Sequence, residues 1–217
     1  MNLIAYTFIG PAKTATTSCS LLFANLPQYI LSGTHKELYK HSRRLTSYYD
    51  DLIPGKDKLL VEYTKLVLDA VKNGKQICLF EPSYISLDPI QLNALPSDFF
   101  VLTLRDPLKR LISHYRMDKS LGLNNLNLAA SLEVKSFYAQ YVKLSMLFDI
   151  CKNYASILQK KFIVFDYFDR IIHIPKYCDQ AAKLRVLTDF TNAYSHQSTS
   201  NIKANSSKSL TVPLPAS

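Results

Sequence analysis

The chain has 217 residues, of which 47% are apolar and 20% charged, a composition typical of one globular domain with a hydrophobic core. Lysine and arginine outnumber aspartate and glutamate by 26 to 17, and the resulting formal charge of +9 favours an anionic ligand. The longest run of basic residues has two members, so the polybasic arm of a nucleic-acid-binding protein is missing and no nucleic-acid partner is expected.

The cysteines are widely spaced, at Cys19, Cys78, Cys151 and Cys178. Because none of them has C-x-x-C spacing, the sequence predicts neither a zinc site nor a disulfide framework, and we expect reduced core cysteines. The N-terminus lacks the basic start of a signal peptide, and no apolar run reaches the about 18 residues of a membrane helix. The sequence therefore predicts a cytoplasmic protein without a transmembrane segment.

The first predicted elements alternate between strand and helix. Residues 3–9 are an apolar run rich in β-forming residues that ends at a Gly-Pro turn, and helical sequence resumes at Thr17. A helix is predicted over 57–73, because its apolar residues recur at helical spacing and a glycine follows as a stop. Residues 76–80 are then predicted to form a buried strand.

A second strand, turn and helix follow in the middle of the chain. Residues 99–104 form a continuous apolar run, and Pro107 fits the first turn of a helix that begins just after it. The predicted apolar face of this helix consists of Leu108, Leu111, Ile112 and Tyr115.

The last part of the chain is predicted to form a long helix over 131–159, a strand over 162–165 and a helix over 176–192. From Ser195 the composition changes to Ser, Asn, Thr and Lys, which predicts a loop or flexible tail over 195–217. Strands that alternate with helices predict a single α/β domain over 1–217. Its mostly parallel central sheet is flanked by helices on both faces in three layers.

The turn after the first strand has the sequence PAKTATTSCS over residues 11–20. In a parallel α/β sheet such a turn delivers an anion to the N-terminus of the next helix. The groups that can surround a phosphate or sulfate are backbone N–H groups, the Lys13 ammonium and the hydroxyls of Thr14, Thr16, Thr17 and Ser18. The alternative is that a threonine only caps the helix and Lys13 is solvated.

A P-loop nucleoside triphosphatase also carries a Lys/Thr-rich turn after its first strand. Its pattern, G-x-x-x-x-G-K-[ST], places the lysine six residues after the first glycine. Here Lys13 comes three residues after Gly10, and Ala15 stands in the tight part of the turn without a second glycine. The spacing therefore argues against a triphosphatase.

The turn resembles the 5′-phosphosulfate loop of sulfotransferases that use 3′-phosphoadenosine 5′-phosphosulfate (PAPS). That loop reads approximately P-K-x-G-T-T, and the aligned residues here are Lys13, Thr14, Ala15, Thr16 and Thr17. Two departures are visible, since Pro11 stands one place early and Ala15 replaces the usual glycine. A positive φ at position 15 would strain an alanine.

The segment LRDPLKRLISHY resembles the 3′-phosphate signature of the same family. The matching residues are Arg105, Asp106, Pro107, Ser113 and Tyr115. An arginine at a strand end can fork onto a phosphate, and Ser113, eight residues after Arg105, can add a hydroxyl. The alternative is a local ion pair between Arg105 and Asp106 with Ser113 on the surface.

The resemblance extends over most of the chain and is closer to carbohydrate-type and bacterial members. FIVFDYFD (162–169) resembles the strand that ends in Tyr-Glu-Asp, Asp189-Phe190 the helix that follows, and IKANSSKSL near Ile202 the loop that closes over the nucleotide. The resemblance implies a P-loop NTPase-like topology and a catalytic Lys13 that holds the leaving oxygen. For the base it implies Glu37, with Glu81, His35 and His41 as alternatives.

The function implied is transfer of a sulfonate group from PAPS to a hydroxyl of a glycan, lipid or small molecule. PAPS is the expected co-substrate, and no metal is required. Two alternatives stay open at this point: a nucleotide kinase-like P-loop enzyme and a non-catalytic nucleotide-binding relative. The sequence specifies neither the acceptor nor the oligomeric state.

Overall fold

The computed structural model describes residues 2–31, 56–80, 89–176 and 178–197. The strands of this part of the chain are β1 (Ile4–Ile9), β2 (Tyr29–Leu31), β3 (Gln76–Phe80), β4 (Ser97–Leu104), β5 (Phe162–Asp166) and β6 (Ile171–His173). Its helices are α1 (Thr16–Ala24), α2 (Lys56–Lys72), α3 (Pro89–Asn93), α4 (Pro107–Ser120), α5 (Leu128–Glu133), α6 (Lys135–Tyr141), α7 (Leu147–Leu158) and α8 (Gln180–Gln197).

The strands form one sheet in the order β2-β3-β1-β4-β5-β6. All neighbours pair in parallel except β5 and β6, which are antiparallel. Ile9 pairs with Leu102, and Leu104 pairs with Asp166, so the carboxyl ends of β1, β4 and β5 lie side by side. In a parallel α/β sheet, this edge is where ligands bind.

Each face of the sheet is covered by its own hydrophobic core. On one face, α1 and α8 pack against a cluster rich in aromatic rings, in which Phe8 stacks on Phe80 with 4.5 Å between ring centroids. On the other face, α2, α3 and α7 cover aliphatic and aromatic residues such as Ile77, Leu102 and Phe162. The three-layer α/β fold with a mostly parallel sheet, in a P-loop-like topology, is therefore confirmed.

Most predicted elements are found with bounds shifted by a few residues. The predicted strands correspond to β1, β3, β4 and β5, and the helix predicted over 57–73 is α2. The two three-residue strands β2 and β6 were not predicted, because three residues are too few to establish a period. The final helix starts at Gln180, not at 176, and runs to Gln197, so the start of the predicted tail is helical.

The continuous helix predicted over 131–159 is wrong. The chain instead forms α5, α6, a 3₁₀ turn over Lys143–Ser145 and α7, followed by another 3₁₀ turn over Gln159–Lys161. At the end of α6 the carbonyls of Gln140 and Tyr141 accept hydrogen bonds from the Arg110 side chain. A contact with a residue 30 positions away thus ends a helix that its local sequence favours.

The four cysteines are free thiols. Cys19, Cys78 and Cys178 are buried and Cys151 is partly buried, which agrees with the prediction of reduced core residues. Burial raises the pKa of the Cys151 thiol to about 11, so it is protonated and weakly nucleophilic at neutral pH. None of the described helices is long and apolar enough to cross a membrane.

Candidate active site

The turn between β1 and α1, residues 10–15, has a backbone that few side chains tolerate. Gly10 has a φ of 155°, and a Cβ there would collide with the hydroxyls of Thr103 and Thr14. Lys13 and Ala15 have φ values of 73° and 68°, in the left-handed region that favours glycine. Ala15 therefore carries the strain expected for an alanine that replaces the glycine of the resembled loop.

The N-terminus of α1 has no side-chain cap among the described residues. Ala15 occupies the N-cap position without a side-chain hydrogen bond, and the first turn of α1 contains no acidic residue. The first N–H groups of a helix have no intrahelical partner, and the helix dipole adds partial positive charge there. The turn over residues 10–15, called the Lys13 turn below, thus presents the donor geometry of an anion site.

The predicted anion-binding residues of this turn occupy different environments. Thr14 is fully buried, and its hydroxyl donates to the Pro11 carbonyl at 2.8 Å and lies 2.8 Å from the Thr103 hydroxyl. The Thr14 side chain therefore holds the turn against β4, and only the backbone of Thr14 remains for the predicted role in anion binding. Lys13, Ala15, Thr16 and Ser18 are partly exposed, and the side chain of Thr17 lies outside the described part.

Arg105 and Asp106 follow β4 directly but do not pair with each other among the described contacts. The Asp106 carboxylate caps α4 by accepting from the Lys109 amide at 2.7 Å, and Pro107 occupies the first helical position. The Arg105 guanidinium lies 4.7 Å from the centroid of the Phe168 ring. Instead of the ion pair considered as the alternative, Asp106 caps a helix and Arg105 makes a cation–π contact.

The structure brings the two sequence signatures together. Arg105 Nη1 donates to the Lys13 carbonyl at 3.1 Å, and Arg105 Nε is buried without a hydrogen-bond partner in the described part of the chain. A buried charged donor without a partner is costly, so this nitrogen is suited to an oxyanion. Burial lowers the pKa of Arg105, although Asp106 opposes the shift.

The remaining residues of the second signature lie on α4. Ser113 is partly exposed, eight residues after Arg105. The Tyr115 hydroxyl donates to the Leu126 carbonyl at 3.0 Å and so holds the segment that follows α4. Tyr115 therefore stabilises the connection between α4 and α5 through its hydroxyl group.

The predicted apolar face of α4 is found only in part, since Leu111, Ile112 and Tyr115 are partly buried but are not the most buried positions of the helix. Leu108 is 64% exposed, and the buried positions are Arg110, His114 and Asp118. Their spacing of four residues places them on one side of the helix. The i, i+4, i+8 pattern of Arg, His and Asp was the available signal, but it was missed because polar residues at helical spacing usually mark a solvated face.

His114 connects this buried stripe to the Lys13 turn electrostatically. Its Nδ1 lies 3.3 Å from Arg110 Nη2, and its Nε2 lies 3.8 Å from the Asp118 carboxylate. Burial lowers the pKa of His114, the positive charges of Arg110 and Lys13 lower it further, and Asp118 opposes the shift. Since an arginine can only donate, Nδ1 is the acceptor and the proton of the neutral ring is on Nε2.

The candidates for the catalytic base lie outside the described residues. These are Glu37, Glu81, His35 and His41, and the IKANSSKSL segment near Ile202 lies outside as well. Asp189, in a segment that resembles the family, belongs to the core instead: it accepts hydrogen bonds from Tyr6 at 2.6 Å and Tyr29 at 2.5 Å. In the described part of the chain, no group of three His, Cys, Asp or Glu side chains is placed to hold a metal ion.

Sheet order, strand-to-helix turns and helix placement define a three-layer α/β fold with a mostly parallel sheet. The crystal structure of a sulfotransferase from Alicyclobacillus acidocaldarius is similar, with a TM-score of 0.54 over 90% of this chain and 94% of that chain. The two sequences are 14% identical, so the likeness concerns the fold. No protein-family model and no curated protein matches the chain.

Proposed function

We propose that the protein is a sulfotransferase that moves a sulfonate group from PAPS to a hydroxyl of a glycan, lipid or small-molecule acceptor. The observation that carries this proposal is the hydrogen bond from Arg105 Nη1 to the Lys13 carbonyl. It joins the two signatures, which lie 92 residues apart in sequence, at the edge of the sheet where ligands bind. The likeness of the fold to a sulfotransferase supports the same assignment.

The Lys13 turn is the proposed site of the 5′-phosphosulfate. Residues 13–18 offer the Lys13 ammonium, the hydroxyls of Thr16 and Ser18, and the N–H groups of an α1 N-terminus that no side chain caps. Ala15 contributes through its backbone, as does Thr14, whose hydroxyl is engaged with Pro11. Thr17 keeps its proposed role, by analogy with the resembled loop.

Arg105 and Ser113 are the proposed ligands of the 3′-phosphate. The unpartnered Nε of Arg105 supports this role, because a phosphate oxygen would satisfy it with a charge-assisted hydrogen bond. The aromatic contact with Phe168 restricts the guanidinium plane, which lowers the entropy lost when the anion binds.

The proposed reaction is an in-line displacement at sulfur. The acceptor oxygen forms a bond to sulfur while the bond from sulfur to the phosphate oxygen breaks, and 3′-phosphoadenosine 5′-phosphate (PAP) leaves. Lys13 neutralises the negative charge that develops on the leaving oxygen, and Glu37 takes the acceptor proton by analogy with carbohydrate-type relatives. Positioning and electrostatic stabilisation supply most of the acceleration in the comparable phosphoryl transfer.

Calorimetric titration with PAP in the absence of metal tests the donor assignment. We expect binding by the unaltered protein and a loss of about tenfold to a hundredfold in affinity in Lys13→Ala and in Arg105→Ala, since each removes a charge-assisted contact. Lys72→Ala and Arg116→Ala remove equivalent charges from exposed positions and serve as matched controls.

The absence of PAP binding to the unaltered protein would exclude the proposal. Binding of ATP that depends on magnesium, in place of PAP, would instead favour the kinase-like alternative. A screen of hydroxyl acceptors with PAPS separates an enzyme from a non-catalytic relative, because only the enzyme releases PAP. Glu37→Gln should then abolish turnover and leave PAP affinity unchanged.

A further inference from the structure

Arg110 connects the Lys13 turn to the helical segment that follows α5. It is fully buried, and its Nε donates to the Ala12 carbonyl at 3.1 Å. At the other end of the guanidinium, the hydrogen-bond acceptors are the carbonyls of Gln140 and Tyr141 and the Ser145 hydroxyl, at distances from 2.7 to 3.1 Å. One side chain thus spans two parts of the fold that are far apart in sequence.

The positive charge of Arg110 has no carboxylate within 4 Å in the described part of the chain. Its hydrogen-bond acceptors are neutral, and His114, which lies between Arg110 and Asp118, is neutral near pH 7. Burial lowers the pKa of Arg110 to about 10, so the guanidinium remains charged at neutral pH. A buried charge without a counter-charge destabilises a fold.

The surroundings of Arg110 add positive charge and little negative charge. The Lys13 ammonium belongs to the turn whose Ala12 carbonyl Arg110 holds, and Arg105 donates to the next carbonyl of the same turn, that of Lys13. Asp118 lies two helical turns away, and its carboxylate already accepts from the Tyr141 hydroxyl at 2.7 Å. The guanidinium groups of Arg105 and Arg110 therefore hold adjacent carbonyls of one turn, and neither forms an ion pair with a described carboxylate.

We propose that Arg110 is a positioning residue of the anion site, which fixes the Lys13 turn through the Ala12 carbonyl and whose buried charge is balanced by the bound anion. This inference rests on the proposed function, in which that anion is the 5′-phosphosulfate of the donor. It assigns Arg110 a role in donor affinity without direct contact with the donor. The role differs from that of Arg105, whose Nε is available to the ligand.

Substitutions can remove the charge of Arg110 and its hydrogen bonds selectively. Arg110→Met has a similar length and no charge. Arg110→Lys keeps the charge and loses the forked contacts, because an ammonium cannot reach acceptors at both ends. Ser145→Ala is the matched control, since it removes a buried hydrogen bond of 2.7 Å to Arg110 and leaves both the charge and the Ala12 contact in place.

The experiment measures PAP affinity by calorimetry and unfolding by urea titration for each folded variant. We expect Arg110→Met, which loses both the charge and the Ala12 contact, to lose about tenfold or more in affinity, and Arg110→Lys, which keeps the charge, to lose clearly less than Arg110→Met although it is destabilised. Ser145→Ala should be destabilised and bind PAP unchanged. Inorganic sulfate as a second probe should show the same order of affinities.

Affinity that falls in proportion to stability across all variants would overturn the proposal, because Arg110 would then be a structural residue only. Tight PAP binding by folded Arg110→Met would overturn it as well. If that variant does not fold, Arg110→Gln replaces it, and the proposal is still contradicted if Arg110→Lys binds no better than the uncharged variant or if Ser145→Ala binds weakly. Failure of the proposed function is distinguishable, since the unaltered protein then binds no PAP and Lys13→Ala changes nothing.

Discussion

The two strand-to-helix junctions of the candidate site differ in how they treat a helix N-terminus. At the junction between β4 and α4, the Asp106 carboxylate accepts from the Lys109 amide at 2.7 Å, and the helix begins with a proline. At the junction between β1 and α1, Ala15 occupies the N-cap position and makes no side-chain hydrogen bond to the helix. The protein itself supplies a negative charge to α4, whereas the N-cap residue of α1 supplies none, which supports the proposed anion site at α1.

Under the proposed function, this difference accounts for the different residues assigned to the two phosphate groups. An anion at α1 can use backbone N–H groups and the helix dipole, with Lys13 as an additional charge. An anion near α4 cannot use the N-terminus that Asp106 occupies, so it depends on the side chain of Arg105. The Thr14–Thr103 hydroxyl contact at 2.8 Å holds the two junctions together.

The largest effect on stability is expected from Gly10→Ala, because Gly10 lies in close contact with Thr103 at the end of β4. The new methyl group would collide with the Thr103 and Thr14 hydroxyls, and the residue also has a positive φ. We expect a loss of about 2 to 3 kcal/mol in the free energy of unfolding. Urea titration monitored by circular dichroism measures it.

Gly74→Ala is the control for backbone strain alone. Gly74 has a φ of 61°, and nothing lies within 4 Å of a Cβ at that position, so only the left-handed conformation is penalised, by about 1 kcal/mol. Equal losses in the two variants would show that the Thr103 and Thr14 hydroxyls adapt without cost.

Asp106→Ala opens the N-terminus of α4 and makes it similar to that of α1. The loss of the cap should lower the free energy of unfolding by about 1 kcal/mol. Asp106→Asn keeps a side-chain oxygen for the Lys109 amide and should retain most of the stability. A result in which Asn destabilises as much as Ala would mean that the charge of Asp106, not its hydrogen bond, stabilises the helix.

Sequence reasoning found both junctions because their signals are local. An apolar strand, a Gly-Pro or Arg-Asp-Pro turn and a helical pattern follow one another within about 20 residues, so neighbouring residues suffice to predict them. The strain at Ala15 was also foreseeable, because the resembled loop has a glycine there and the observed φ is 68°.

The buried face of α4 was not predictable in the same way. An arginine at position 110 is solvated on most helices, and its burial depends on the carbonyls of Ala12, Gln140 and Tyr141, which come from two distant segments. The same long-range contact lies at the C-terminus of α6, the second place where the helix predicted over 131–159 is interrupted; the first is the extended backbone of Val134. Local propensity cannot encode the burial of Arg110 or its contact with α6, since both arise from tertiary structure.

Ala15→Gly is expected to relieve strain in the junction whose N-cap residue makes no side-chain hydrogen bond. A glycine adopts a φ of 68° without penalty, although it makes the unfolded chain more flexible, and the two effects oppose each other. We expect a net gain of about 0.5 kcal/mol in the free energy of unfolding and an unchanged or higher affinity for PAP. A lower stability would show that the turn tolerates alanine without strain.

The smallest effect near neutral pH is expected from His114, which lies on α4 yet responds to the charge of Lys13 in the other junction. Its pKa in the folded protein is lowered below the ordinary value of 6.5, first by burial and then by Arg110 and Lys13. Between the two pKa values the unfolded chain binds more protons, so the free energy of unfolding should decline as the pH falls below 6.5.

Urea titrations between about pH 7.5 and 5.5 compare the protein with His114→Gln, because the difference between the two profiles removes the contribution of the carboxylates. An anion bound at the Lys13 turn offsets the charge that disfavours protonation of His114, so PAP should reduce the decline, and its affinity should rise as the pH falls through this range. Parallel profiles for the two proteins would mean that His114 does not titrate with folding. If PAP leaves the decline in the free energy of unfolding unchanged, the bound anion is too far from His114 to affect its pKa. The two junctions would then not be coupled electrostatically, although the contacts of Arg105 and Arg110 join them.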